Sequence, residues 1–176
     1  MIPISSASSS GAGYRGLTWT KGQHSRSFEL KLNGEIVGRI ERPSFWSSSY
    51  EVETADGRWT FRPSGCFGGA EIVDEASGQA IATMKPSWGT GGGTLTFADE
   101  RKFEFTVNGW WRQVWSVTPE QGQPVLRLQA REKTVELCAG ADVLKGRLSL
   151  LAMFAYYCVL QAEEAAAMAV LAAAVS

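Results

Sequence analysis

His24 is the only histidine of the chain and sits in the polar run Lys21-Gly22-Gln23-His24-Ser25-Arg26-Ser27. One imidazole rules out a multi-histidine metal site, and a general base needs its reaction partner within hydrogen-bond reach. Nothing in the spacing suggests a nucleophile placed beside it, so His24 reads as an exposed loop or strand-edge residue. The three cysteines, Cys66, Cys138 and Cys158, form no CxxC pair for zinc or redox chemistry. Cys66 stands in a glycine-rich corner where Arg62 is the nearest cation that could lower its pKa, whereas Cys138 and Cys158 read as buried or barrel-associated thiols. The run Gly89-Thr90-Gly91-Gly92-Gly93 leads into Thr94-Leu95-Thr96-Phe97, a strand pattern. A phosphate loop would instead present a Lys-Ser/Thr pair entering a helix. The glycines therefore read as a flexible loop, a hinge, or a place where backbone amides approach a ligand. The acidic pairs Asp74-Glu75 and Asp99-Glu100 read as solvated turn residues. No catalytic residue, metal site or cofactor is expected.

The candidate ligand-binding residues are aromatic and basic. Trp110 and Arg112 alternate with Trp111, so if Trp111, Trp115 and Val117 face the interior, Trp110, Arg112 and Val114 project outward. An outward Trp beside an Arg suits a lipid interface or a partner surface. Lys85 and Trp88, in the irregular segment Lys85 to Gly93, complete the set. The competing reading packs Trp110 under that segment.

Composition narrows the partners. Across 176 residues, 17 Lys and Arg oppose 18 Asp and Glu, which leaves no global field to attract nucleic acid. An odd cysteine count, with Cys158 inside an apolar run, favours reduced thiols and a cytoplasmic location over a disulfide framework. Residues 1–16, rich in Ser and Gly, lack the basic and apolar regions of a secretory signal and read as a flexible leader.

From Leu17 to Cys138 apolar and polar residues alternate between turn signals. Phe28, Leu30 and Leu32 share one strand face, and Asn33-Gly34 turns the chain because both residues tolerate positive φ. Phe45 to Thr54 is predicted as a strand, as is Arg58 to Arg62 after Asp56-Gly57. Glu71 to Asp74 and Gln79 to Met84 pair around Ser77-Gly78. Lys102 to Val107, Trp110 to Thr118, Val125 to Ala130 and Thr134 to Cys138 complete ten to twelve short strands.

The run Leu148 to Leu160, LSLLAMFAYYCVL, is apolar on every side and so must be surrounded, by a membrane or by protein. Closing an antiparallel sheet removes its edges, and a barrel of roughly twelve strands leaves a channel wide enough for a helix about 10 to 12 Å across. Crossing a bilayer takes about 20 apolar residues, whereas Glu163 and Glu164 end this run early. The fold class is thus mainly β, a closed antiparallel barrel of about twelve short strands enclosing a hydrophobic C-terminal helix. The barrel occupies 17–164 with its central helix at 148–162, and 165–176 is an alanine-rich helical tail.

A set of hairpins from Leu17 to Cys138 that closes with LLAMFAYYCVLQAEE, Leu150 to Glu164, resembles the Tubby C-terminal-like superfamily, which includes the Tubby proteins, the LURP-one-related proteins and the phospholipid scramblases. The resemblance implies a closed twelve-stranded barrel around a C-terminal helix. In Tubby proteins basic residues on the outer face bind phosphoinositide headgroups, but no such residue is carried over to this chain. No cluster of Asp residues lies near Leu148 and the helix holds one cysteine, which departs from the scramblase pattern.

These features point to a non-enzymatic binding module that engages an anionic phospholipid headgroup or a protein partner on the outer barrel face, in the cytoplasm with membrane association. A structural or assembly protein using the alanine-rich tail is the alternative. A tail-anchored membrane protein is the third.

Overall fold

The structure, a computed structural model, describes residues 1, 17–24, 26–65, 68–87, 92–108, 113–138, 141–144 and 147–175. The expected leader therefore lies outside the described residues apart from Met1. Alternation resolves into twelve strands: β1 (Leu17–Lys21), β2 (Ser27–Leu32), β3 (Glu35–Glu41), β4 (Tyr50–Thr54), β5 (Gly57–Ser64), β6 (Gly69–Asp74), β7 (Ala80–Pro86), β8 (Gly93–Phe97), β9 (Lys102–Asn108), β10 (Val114–Pro119), β11 (Leu126–Gln129) and β12 (Thr134–Leu137). Each pairs antiparallel with its sequence neighbours, and β1 meets β12 through Leu17 opposite Val135, closing the barrel. No strand edge remains open to another chain.

The turns carry the conformations their residues favour. Asn33 and Gly34 have φ of 52° and 89°, the left-handed pair that matches strand twist in a two-residue hairpin. Lys133 and Glu100 also adopt positive φ, 54° and 67°, without the freedom of glycine. Register slips by one residue between Leu30 and Lys31, opposite Val37, so that both Val37 and Gly38 are buried.

A short 3-10 helix (Ala141–Leu144) leads into α1 (Leu148–Val175). Every residue from Leu148 to Leu160 is 8 % exposed or less, so the apolar run is the core of the barrel. Its all-round apolarity has a direct cause: β3, β4, β10 and β11 touch it from different sides. Phe154 meets Phe61 and Phe105 edge-on at 5.2 and 5.5 Å, and Tyr156 stacks on Trp19 at 3.9 Å. Small inward residues let the helix approach the wall; a Cβ at Gly38 would lie 2.6 Å from Met153 Sδ.

The expected central helix and helical tail are one unbroken element. Beyond Ala162 it leaves the barrel, and from Ala165 to Ala174 every residue is exposed. The first of two expected strands begins later than predicted, at Tyr50 rather than Phe45; of the second, expected from Trp110, the described part is Val114–Pro119, and Trp110 to Arg112 lie outside the described residues. For the first the reason is local: Ser44 and Ser47 hydroxyls accept the backbone N–H groups of Trp46 and Ser49 at 3.2 and 3.1 Å, a bonding pattern that competes with a strand ladder.

Candidate functional site

An antiparallel meander sends alternate connections to opposite ends. The β1–β2, β3–β4 and β11–β12 connections gather at the mouth where α1 leaves, with the ends of β7 and β9. The β8–β9 and β10–β11 connections gather where α1 begins.

The exit mouth is built around Glu164. Arg42, just after β3, donates from Nη1 to Glu164 Oε1 at 2.6 Å, and the Tyr50 hydroxyl donates to the same oxygen at 2.9 Å. Arg42 also donates from Nε to the carbonyl of Ser47, which holds the β3–β4 loop against the helix. Burial, reinforced by the Glu164 carboxylate, pushes the Tyr50 phenol up to about 12. This loop presents Phe45 and Trp46 to solvent, Trp46 at 91 % exposure, with their rings edge-on at 5.2 Å. The Arg26 guanidinium covers Phe45 at 5.0 Å.

On the helix, Met168 and Leu171 follow Glu164 at i+4 and i+7, so they lie on the face that meets this loop. Both are more than half exposed, as is Val170. Nothing polar interrupts the helix from Ala165 to Val175.

Cations collect at the same mouth. Lys21, Arg26, Lys85, Arg131 and Lys133 are exposed there and form no ion pair among the described residues. Elsewhere among the described residues only Arg127 shares that state, and it lies opposite Glu136 in the β11–β12 register. Among the described residues, Glu41 with its register partner Glu51, Glu104 level with Lys85 across Thr94, Glu132 and Glu163 are acids interspersed at the mouth besides Glu164. At the opposite end the acids Glu35, Asp56, Asp74, Glu75, Asp99, Glu100 and Glu120 outnumber Lys31, Arg58, Arg101, Lys102 and Arg147 among the described residues. The acidic excess of the described residues thus lies at the helix-start end.

Of the residues singled out from sequence, Lys85 is exposed on β7 opposite Thr94 and belongs to this basic mouth. Trp88, Trp110 and Arg112 lie outside the described residues, as does Cys66. On the outer wall, where ligand contact was expected, a depression of about 240 Å³ is lined by Glu41, Glu51, Glu53 and Glu75 against Arg39 and Arg58. Its charge disfavours an anionic headgroup. Sequence reasoning missed Phe45, Trp46 and the basic mouth. The signal for the first was Pro43-Ser44 before the aromatics and three serines after them, a turn-forming context.

His24 is exposed in the β1–β2 turn, 3.6 Å from Glu41. Cys158 lies in the core with its Sγ 3.9 Å from Met84 Sδ, and burial pushes its thiol well above the ordinary range. Cys138 is half-buried, and burial moves it the same way. Among the described residues no three His, Cys, Asp or Glu side chains come together as a metal site. Gly92 and Gly93 are required by close packing: a Cβ would lie 1.9 Å from the Phe105 carbonyl oxygen at Gly92, and 2.4 Å from that of Lys85 at Gly93.

The opposite end carries a cleft of about 500 Å³ between the β8–β9 turn, the β10–β11 loop and the 3-10 helix. Phe103, Pro119, Val125 and Leu144 supply its apolar lining, and Asp99, Glu100, Arg101, Lys102 and Glu120 its charged one. Arg101 and Arg147 both donate to Asp99, at 2.7 and 2.9 Å, and hold that carboxyl well below the usual carboxylate range. Lys102 pairs with Glu120 at 3.0 Å. No protein-family model, curated protein or solved structure matches the chain.

Proposed function

We propose that the protein is a non-enzymatic module that docks on anionic membrane surfaces through its helix-exit mouth. The observation that carries this reading is the coincidence at one end of an all-apolar exposed helix, the Phe45-Trp46 loop and the five unpaired cations. An exposed helix without a polar face matches hydrocarbon on all sides, aromatic rings beside cations match the headgroup region, and the cations match anionic lipid. The exposed run Ala165 to Ala174 extends roughly 15 Å, about half of a bilayer's hydrocarbon thickness. By length and composition Leu148–Ala174 is apolar enough to cross a membrane, with mean hydropathy 1.3, but its first half is occupied as the barrel core.

The barrel-plus-helix architecture is also what membership of the Tubby C-terminal-like superfamily implies, and it supports that assignment. The proposed contact differs from the outer-wall site of Tubby proteins, because the depression found on this wall is acidic. A cytoplasmic protein recruited to the inner leaflet fits these features.

The test is vesicle co-sedimentation of the full chain with phosphatidylcholine alone and with added phosphatidylserine. Binding is expected only with the anionic lipid and should weaken with salt. Juxtamembrane cations contribute about 1 kcal/mol each, so Lys85→Glu with Lys133→Glu should lower binding on the order of tenfold or more. Trp46→Ala should weaken it further, while Glu75→Lys, in the outer-wall depression away from the mouth, should leave it unchanged. Equal binding to both vesicle types, or none, refutes the reading. A change in oligomeric mass on removing residues 165–176, without vesicle binding, would favour assembly through the tail instead.

A further inference from the structure

We infer that the cleft at the helix-start end is a binding site for a small amphiphilic cation, an amine on an apolar body. This site is separate from the proposed membrane contact and lies at the other end of the barrel. Its volume, about 500 Å³, falls within the range of about 300 to 1,000 Å³ typical of small-molecule sites. Phe103, Val125 and Leu144 are buried with their edges lining the cleft, and Pro119 extends that apolar surface outward. Such a lining accepts a hydrocarbon or aromatic body.

Charge selects the head group. Arg101 is committed to Asp99 and Lys102 to Glu120, whereas Glu100 forms no ion pair among the described residues. Among the described lining residues the charge left over is therefore a single carboxylate. Arg147 lies on the far side of Asp99, stacked at 4.4 Å over Phe97, and does not line the cleft.

The backbone supplies an independent observation. Glu100 sits at φ 67°, in the fourth and last position of a β8–β9 turn closed by its own N–H to the Phe97 carbonyl at 2.9 Å. Glycine or asparagine would occupy that conformation at lower cost, so the glutamate side chain is kept against backbone preference. A carboxylate so placed, beside an apolar cleft and without a cation of its own, matches an ammonium group.

The experiment is titration calorimetry of the full chain, without vesicles, using n-octylamine, n-octanol and octanoate below their aggregation limits. Octylamine should bind, octanol more weakly and octanoate most weakly. Glu100→Gly should raise the thermal midpoint by relieving the left-handed strain and yet weaken octylamine by about two- to fivefold, the range of one exposed ion pair. Gln123→Trp, at the solvent-exposed rim, should block the cleft and abolish binding without touching the core. Equal affinity for all three probes, an unchanged octylamine affinity in Glu100→Gly, or full binding by Gln123→Trp would overturn the assignment. Vesicle binding should be unaffected by either substitution, so failure here and failure of the membrane reading are separate results.

Discussion

Arg42 and Glu164, 122 positions apart in sequence, form an ion pair of 2.6 Å at the point where the central helix leaves the barrel. Together with the Tyr50 hydroxyl it fastens the last turn of the enclosed helix to the β3–β4 loop that carries Trp46. Core and loop are thus mechanically joined. The pair also neutralises one of two adjacent carboxylates where the apolar tail begins.

Glu164→Ala should cost about 1 to 2 kcal/mol, because it leaves the nearly buried Tyr50 hydroxyl without its acceptor. Urea unfolding measures this, and the double mutant with Arg42→Ala should cost less than the two single losses added together. Strict additivity would show that the pair contributes no coupling.

Phe154 is wholly buried among Phe61, Phe105 and Tyr157. Phe154→Ala should lose about 3 to 5 kcal/mol, through lost burial and the cavity left inside a closed wall. Thermal unfolding monitored by near-ultraviolet circular dichroism reads the effect. A loss below about 1 kcal/mol would contradict the helix as core.

Gly38→Ala sets a methyl group against Met153 Sδ, and Met153 is itself fully buried, so the sulfur has little room to yield. The expected cost is about 1 to 3 kcal/mol, the usual range for overpacking. Adding Met153→Ala should make Gly38→Ala less costly than it is in the parent, a non-additivity that a denaturant cycle detects.

Alkali should unfold the barrel through its tyrosines. Burial, then the Glu164 hydrogen bond, raises Tyr50 from 10.0 to about 12, and burial raises Tyr156 and Tyr157 still further. A raised folded-state pKa means the protonated phenol is favoured in the fold. That stability is fully present below about pH 10 and is lost as pH rises through about 12. Phenolate absorbance should therefore rise together with unfolding, and Tyr50→Phe should shift that transition toward higher pH. Phenolate formation near pH 10 in a folded protein would contradict the burial.

Much of the architecture was legible because strand signals are local. Phe28, Leu30 and Leu32 alternate with charged residues, and Asn33-Gly34 announces its own turn, so neither needs tertiary context. The candidate site was far less legible. Phe45 and Trp46 read as strand residues by their aromatic character, but serine hydroxyls nearby took their backbone partners and the strand began at Tyr50. Lys21, Lys85 and Lys133 look unrelated along the chain, because nothing local says that connections so far apart in sequence share one end of a barrel. Asp99-Glu100 read as one solvated pair, yet Arg101 and Arg147 claim Asp99, and Glu100 forms no ion pair among the described residues.

Sequence alone determined that an all-apolar stretch from Leu148 to Leu160 had to be enclosed, and that the hairpins before it formed the wall. Both follow from hydrophobic periodicity, which each segment carries within itself. Tertiary structure decided where that helix emerges, which loops and cations surround its exit, and which acids ring its start. Those depend on closure of β1 on β12, a pairing between the two ends of the sheet that fixes every connection to one mouth or the other.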